Sequence, residues 1–319
     1  MAILITGATG LIGNEIVLEY HKNNVCVHYL TTSKRKIVTE ALYKGFYWDP
    51  EHNEIDLNCF TGVTAIINLA GASISKRWTA NYKKQILSSR INSLDTLHKG
   101  LQKVDVSAIT SFVSASGIAT YPNSLSGFYE EDTATIDDSF LGEVVQKWEQ
   151  KINTFKEFNI NVATIRVGLV LSNKGGALPA MVKPIKYFMG AAFGSGKQWQ
   201  SWIHINDLAR IFLFAIEEEI TGVYNGVGSN PVTNTKLTLE IAKVLKRPLF
   251  LPNIPPFFLK LILGEMSYLL FSSQRVSNKK IINEGFVFEY QNVCKALGNL
   301  YGNEQEEKVT SGDHINSCA

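Results

Sequence analysis

The sequence predicts an α/β protein built on a doubly wound parallel sheet, with a smaller lobe formed by its C-terminal part. Two observations lead there. Short apolar runs rich in β-branched residues alternate with longer stretches of helical periodicity as far as Val167, and that alternation lays parallel strands between layers of helices. The opening stretch, MAILITGATGLIGN, then compresses a strand, a glycine turn and a helix start into one piece. Ala2-Ile3-Leu4-Ile5 is uncharged and reads as a strand buried on both faces. Gly7, Gly10 and Gly13 follow at three-residue spacing, and Ile16, Val17 and Tyr20 begin a helical stripe. In that setting Gly7 permits a tight turn, Gly10 lets backbone approach a phosphate, and Gly13 lets helix and strand pack closely. The helix start offers free N–H groups to an anion.

Val25 to Leu30 is the second strand, and Thr31, Thr32, Ser33, Lys34 and Arg35 occupy its C-terminal end. In a dinucleotide fold this end faces the adenosine ribose. An acidic residue there bonds the 2′-hydroxyl of NAD, whereas hydroxyls and cations suit the 2′-phosphate of NADP. No Asp or Glu lies between Glu19 and Glu40, so NADP is the expected cofactor.

Gly45 to Trp48 forms a third strand, and Ala65 to Gly71 a fourth, ending on Asn68 and a small-residue turn. A long helix from Thr79 to Lys103 carries Leu87, Ile91, Leu94, Leu97, His98 and Leu101 near helical spacing, with Arg90 beside that stripe. Ile109 to Ser114 is the fifth strand and runs into Ser114-Ala115-Ser116-Gly117. A looser segment around Tyr121-Pro122 leads to a helix from Ser139 to Phe158, and Val162 to Val167 is the sixth strand.

Beyond Gly168 the pattern loosens. Gly175-Gly176 precedes an apolar helix, and a glycine-rich run from Gly190 to Gly196 precedes Trp199, Trp202 and His204. Asp207 to Glu217 is helical, and Val223 to Val227 returns to the main sheet as a late strand. Thr238 to Lys246 and Ile254 to Phe271 are expected helices of the smaller lobe, the second as a buried helix opening at Pro255-Pro256. The expected organisation is a cofactor domain over 1–168, a mostly substrate-binding lobe over 169–301, and a polar, aperiodic, disordered tail over 302–319.

Composition narrows the function classes. The 319 residues suffice for a large core, and 45% hydrophobic with 19% charged residues is ordinary for a globular enzyme. A formal net charge of +2 gives no reason to invoke nucleic acid or an anionic membrane. Cys26, Cys59, Cys294 and Cys318 lie far apart without a CxxC pair, which argues against a zinc site or disulfide framework and fits a reducing cytosol. The six histidines show no close pairing with carboxylates or thiols, so no metal is expected. No cationic segment precedes the first apolar run, and glycines interrupt it, so no signal peptide is expected. The most apolar stretch, Ile254 to Phe271, contains Pro255, Pro256, Lys260 and Glu265, so no membrane span is expected. The expected setting is cytoplasmic, with a homodimer left open.

The glycine triplet, NLAG at Asn68–Gly71, the SAS after the fifth strand and WIHINDL at Trp202–Leu208 together resemble the short-chain dehydrogenase/reductase superfamily and its Rossmann fold. ITGATGLIG (Ile5–Gly13), KRW (Lys76–Trp78), SRIN (Ser89–Asn92), KWE (Lys147–Glu149), R-x-G-x-V-L (Arg166–Leu171) and GSGKQWQSWIHINDL (Gly194–Leu208) are similar to an atypical extended branch, the NAD-dependent epimerase/dehydratase or "epimerase family" proteins, some labelled cell-division-inhibitor-like. The resemblance implies that Gly7, Gly10, Leu11, Ile12 and Gly13 hold the pyrophosphate and that Thr31 and Thr32 meet the 2′-phosphate region. It further implies that Leu69 and Ala70 lie along the adenosine side, that Arg90 approaches the cofactor, and that Val170 contacts the nicotinamide half.

The superfamily's chemistry rests on a Tyr with a Lys four residues later, the ammonium lowering the phenol pKa, and on a Ser or Thr that polarises the reacting group. None of the twelve tyrosines here has a lysine at i+4. Counting back from Glu149, the usual pair falls on Leu141 and Val145. Ser114 and Ser116 keep the hydroxyl position, and Tyr121 in the following loop is the remaining candidate. As packing it is the better reading, because a lone Tyr near pKa ~10 is a poor base. Arg77, Trp78, Trp202 and His204 are candidates for a substrate pocket, His204 more readily as a structural group at the lobe junction. Two functions follow: an NADP-dependent oxidoreductase or epimerase-like enzyme acting on an unidentified small molecule, or a catalytically inactive NADP-binding regulatory or scaffold protein.

Overall fold

A computed structural model describes residues 2–302; the expected tail beyond 302 lies outside the described residues. In chain order the elements are β1 (Ala2–Thr6), α1 (Leu11–Lys22), β2 (Cys26–Thr31), β3 (Tyr43–Asp49), β4 (Glu54–Ile55), β5 (Val63–Asn68), α2 (Ala80–Leu101), β6 (Ser111–Gly117), β7 (Phe128–Tyr129), α3 (Phe140–Asn153) and β8 (Asn161–Val167). The second half adds β9 (Leu169–Leu171), α4 (Ala177–Lys186), β10 (Trp199–Gln200), β11 (Trp202–His204), α5 (Ile205–Glu217), β12 (Gly222–Gly226), β13 (Val232–Thr233) and α6 (Asn234–Val244). It closes with α7 (Pro256–Leu263), α8 (Tyr268–Phe271), β14 (Arg275–Val276), α9 (Lys279–Asn283) and α10 (Val293–Tyr301).

Eight strands form one sheet in the order β12-β8-β6-β5-β1-β2-β3-β4. Every neighbouring pair is parallel except the β3–β4 hairpin. From β1 the chain winds outward to β2 and β3, then crosses back to β5 and winds the other way to β12. The direction reverses between β1 and β5, and a doubly wound sheet opens its ligand crevice at the carboxyl ends of such a pair. The late strand, β12, pairs in parallel with β8 at the edge of the main sheet.

The core follows from the sequence pattern. All five β1 residues are buried, and complete removal of Ile3, Leu4 and Ile5 from water contributes about 1.5–3 kcal/mol each. One continuous apolar core covers both faces of the sheet and takes in α5 with Ile281, Phe286 and Phe288. A second, around Leu171, Leu178, Trp202, Leu237, Ile241 and Leu297, joins α4, α6 and α10.

Helix starts are chemically marked. Thr79, Ser139 and Thr233 each accept a backbone N–H of the first turn with the side-chain hydroxyl, which satisfies one otherwise orphaned donor. Helix α3 stops at Asn153 rather than continuing to Phe158, because the chain tightens into a 3₁₀ turn and Asn159 then takes the left-handed conformation, φ 58°. The expected buried helix from Ile254 to Phe271 is corrected twice. Gly264, at φ 60°, breaks it into α7 and α8, and α7 has no buried residue at all.

Candidate functional site

At the turn between β1 and α1, Gly7 and Gly13 have the turn and close-packing geometry that their spacing indicated. Gly7 takes φ 71°, and its carbonyl accepts the Gly10 N–H at 2.9 Å. A Cβ on Gly13 would fall onto the Gly7 carbonyl oxygen and lie 2.7 Å from Ala8 Cα, so only glycine lets the helix sit this close to the turn. Gly10 is the N-cap of α1 and has no side chain to cap it. Its carbonyl receives the Asn14 N–H at 2.9 Å, while among the described residues the N–H groups of Leu11, Ile12 and Gly13 have no acceptor. Three first-turn amides at the positive end of a helix make an anion cradle, and this donor set fits a diphosphate.

The end of β2 contributes differently. Thr31 is buried, and its hydroxyl accepts the Ser33 N–H at 3.2 Å. Thr32 is exposed, and a 3₁₀ turn of Lys34, Arg35 and Lys36 has no buried residue. Lys34 lies 4.8 Å from the Tyr47 ring centroid. Hydroxyls and cations without a carboxylate therefore stand at the edge of the crevice.

Register explains how the crevice floor is tied together. Thr6 lies opposite Asn68, and Asn68 opposite Ser114. Thr6 Oγ1 donates to Asn68 Oδ1 at 2.8 Å and Asn68 Nδ2 to Ser114 Oγ at 2.9 Å, a chain across three strands. The Leu69 and Ala70 N–H groups both donate to Thr6 Oγ1, at 3.0 and 3.1 Å. Thr6 thus fixes the NLAG turn. Sequence reading missed this role, although a lone hydroxyl ending an otherwise apolar strand was the available signal.

Arg90 reaches this turn from α2. Its Nη1 donates to Ile86 O at 2.8 Å and Ala72 O at 3.2 Å, and its guanidinium lies 4.9 Å from the Trp148 ring centroid. A Cβ on Gly71 would sit 3.1 Å from Arg90 Cζ. Burial pulls the Arg90 pKa down to about 10, and among the described residues no carboxylate pairs with it. It is a packed cation beside the turn rather than a surface arginine. Val170 lies on β9, opposite Ile203 of β11.

Toward the carboxyl ends of β6 and β8, two sequence motifs meet. Arg166 faces Ser116 across β8 and β6. Its Nε and Nη2 hold Glu149 of α3 in a bidentate pair, both at 2.8 Å, and Ser116 Oγ donates to the same carboxylate at 2.7 Å. Arg166 Nη1 donates to Tyr121 Oη at 2.9 Å, and Tyr121 in turn donates to Asn225 Oδ1 at 2.8 Å. Glu149 holds the Arg166 pKa above its ordinary value despite burial. Tyr121 has no exposed surface, and burial raises its pKa more than Arg166 lowers it. Tyr121 is therefore a buried hub that joins Arg166 to Asn225. Leu141 and Val145, the positions of the usual Tyr and Lys, are buried against the core.

The four residues expected to line a pocket are not brought together. Trp202 is enclosed in the second core with its indole N–H on Asn230 O at 2.8 Å. Trp78 packs with Ile86, Leu141 and Val144 and donates to Ile74 O at 2.9 Å. Arg77 is exposed near Gly264. His204 is buried, stacked 3.8 Å from the Tyr290 ring centroid, and caps α5 by accepting the Asn206 N–H at 3.2 Å. Burial lowers its pKa to about 4. Beside it Asp207 accepts the Glu289 and Tyr290 N–H groups at 2.9 Å each. His204 and Asp207 thus pin the C-terminal segment to α5, the structural role that the sequence favoured for this histidine. Among the described residues no three His, Cys, Asp or Glu side chains are grouped to hold a metal ion. No helix among them is long and apolar enough to cross a membrane.

Comparison with known proteins matches this architecture. Residues 3–226 fit the family model described as the NAD dependent epimerase/dehydratase family, and residues 254–300 fit one described as a domain of unknown function, DUF1731. An epimerase family protein of Staphylococcus aureus is 35% identical over 302 residues, covering 93% of this chain and 98% of the relative. One from Staphylococcus epidermidis is 34% identical over the same span. The crystal structure of the human epimerase family protein SDR39U1 with NADPH superposes with a TM-score of 0.81 at 26% identity, covering 95% of this chain and all of that one. MoeE5 in complex with UDP-glucuronic acid and NAD shares the fold at a TM-score of 0.77 and 16% identity. On its glycine cradle, its sheet topology and these matches, the chain belongs to the NAD dependent epimerase/dehydratase family.

Proposed function

We propose that the chain binds NADPH and uses it as an oxidoreductase or epimerase-like enzyme on a small molecule. The uncapped first turn of α1 carries this reading, because among the described residues three of its backbone N–H groups have no acceptor, and Gly13, where a Cβ would meet the Gly7 carbonyl, lets the helix start sit against the turn. Leu11, Ile12 and Gly13 would hold the diphosphate, with Arg90 as a nearby cation. Thr31 and Thr32 would meet the 2′-phosphate region, Leu69 and Ala70 the adenosine side, and Val170 the nicotinamide half. We place the cofactor on residues 1–168 with the strand at Gly222–Gly226, and the substrate between that body and the lobe of 169–301. Bound NADPH supplies hydride chemistry at its nicotinamide.

The chain's own groups handle the proton. The Ser114 hydroxyl donates to Ala115 O at 3.1 Å, Ser116 to Glu149 and Tyr121 to Asn225. All three protons are committed inward, so none serves as a ready donor. Ser116 takes a proton from a substrate alcohol only as its own proton passes to the Glu149 carboxylate, to which it already donates at 2.7 Å. This is the role we assign it.

The same observation favours a second reading, a cofactor-binding regulatory protein that lacks turnover. One experiment separates them. NADPH and NADH are titrated by fluorescence, and a metabolite set is then screened for loss of NADPH absorbance. Tighter NADPH binding with turnover of one compound class supports the enzyme. Tight NADPH binding without turnover supports the regulator, and tighter NADH binding overturns the cofactor assignment.

A further inference from the structure

We propose that the face formed by α7 and the loops beside it docks on an anionic lipid surface. Helix α7 inverts the ordinary amphipathic arrangement. Phe257, Phe258, Leu261 and Ile262 are 70%, 55%, 69% and 68% exposed. At 100° per residue they span an outward arc of about 140°, with Leu263 on the opposite side and Leu259 and Lys260 flanking the arc at its two borders. Soluble chains rarely leave so much apolar surface in one place unless something covers it.

The face extends beyond the helix. The Ile254 N–H donates to Ala192 O at 2.8 Å and the Gly194 N–H to Ile254 O at 2.9 Å, joining the loop after α4 to the segment that leads into α7. Along this seam Phe188 is 48% and Phe250 73% exposed, and the Arg247 guanidinium lies 5.0 Å from the Phe188 ring centroid.

Charge identifies the occupant. Residues 177–205 and 241–263 contain Lys183, Lys186, Lys197, Lys246, Arg247 and Lys260 but no Asp or Glu; Lys243 in the same stretch pairs with the buried Glu240. The net charge of +2 conceals this segregation. A shallow depression of about 450 Å³ has Lys243, Lys246 and Arg247 among its lining residues, a suitable recess for anionic headgroups. A second copy paired about a twofold axis would bring these cations against themselves, a repulsive arrangement. Residues 303–319 offer no aromatic side chain, and only Val309 and Ile315 as large aliphatics, to cover the phenylalanines. An apolar face rimmed by cations matches the boundary between headgroups and acyl chains.

The test is co-sedimentation of the full chain with vesicles of phosphatidylcholine alone, or of equal parts phosphatidylcholine and phosphatidylglycerol. The chain should pellet with the anionic vesicles, remain in solution with the neutral ones, and be released by salt. Phe257→Ser combined with Leu261→Ser should abolish pelleting with an unchanged melting temperature, since both side chains are exposed. Lys246→Gln and Lys260→Gln should each weaken binding about five-fold at low salt. Absence of pelleting with anionic vesicles, or equal pelleting by the serine variant, overturns the proposal. So does a dimer in light scattering that the serine variant dissociates, since a second copy would then be the occupant.

Discussion

Replacing Arg90 with Met separates a cofactor ligand from a packing residue, because the two roles predict opposite readouts. The half-buried guanidinium packs against two backbone carbonyls and the Trp148 face. Among the described residues it has no carboxylate partner. A bound diphosphate would supply the missing negative charge. A hydrogen bond to a charged group contributes about 1.5–3 kcal/mol, so its loss should weaken NADPH binding by about 10- to 150-fold. Met keeps an apolar stem on Trp148 and removes a half-buried cation without a carboxylate partner among the described residues, so the unfolding free energy should move by less than about 1 kcal/mol. Isothermal titration with NADPH gives the affinity, and denaturant unfolding of the cofactor-free protein gives the stability. Unchanged affinity together with a stability loss of several kcal/mol would refute the argument and leave Arg90 as a structural arginine.

Other perturbations test separate parts of the account. Glu149→Gln removes the counter-charge of buried Arg166, and breaking such a pair should cost about 3–5 kcal/mol in chemical unfolding; a loss below about 1 kcal/mol would contradict the hub. Thr32→Asp places a carboxylate where the 2′-phosphate is expected, so calorimetry should show NADPH affinity falling at least about ten-fold relative to NADH. His204 sits near pKa 4 when folded against an ordinary 6.5. The unfolded chain therefore binds more protons between those values, and stability complete above pH 6.5 is lost as pH falls toward 4. That loss is about 3 kcal/mol. His204→Asn keeps an N-cap but not the titration, so it should flatten that part of the stability profile; identical profiles would refute the assignment.

How much of this was legible in the sequence depends on the distance over which each feature is encoded. The cradle is local: Gly7, Gly10 and Gly13 impose their geometry within one turn, and the expected strand, turn and helix appear where the residues placed them. The same holds for Thr79 and Ser139, whose hydroxyls cap the helices they precede. The Glu149–Arg166 pair was not legible, although both residues stood in quoted motifs, because β8 brings them together only after α3 has folded back over the sheet. The Thr6–Asn68–Ser114 chain likewise exists only through strand register. The proposed grouping of Trp202 and His204 with Arg77 and Trp78 failed because aromatic residues near a glycine-rich loop look alike whether they line a cleft or fill a core. Ile254–Phe271 misled for a related reason. High apolar content ordinarily signals burial, and nothing local distinguishes a helix that packs inward from one that presents Phe257 and Leu261 outward.

The central claim, that diphosphate rests on the first-turn amides of α1, is tested most directly by the NADPH affinity of Gly10→Val. Gly10 has φ −81°, open to any residue, and an added Cβ would meet only the Gly7 carbonyl oxygen, at 3.1 Å. The fold should survive at a cost of about 1 kcal/mol in helix capping, while the branched side chain should obstruct the approach to the Leu11, Ile12 and Gly13 N–H groups. The account predicts a Kd for NADPH raised at least about 100-fold, equivalent to about 2.7 kcal/mol, in a protein that still unfolds cooperatively. A folded Gly10→Val protein that binds NADPH as tightly as the parent would contradict it.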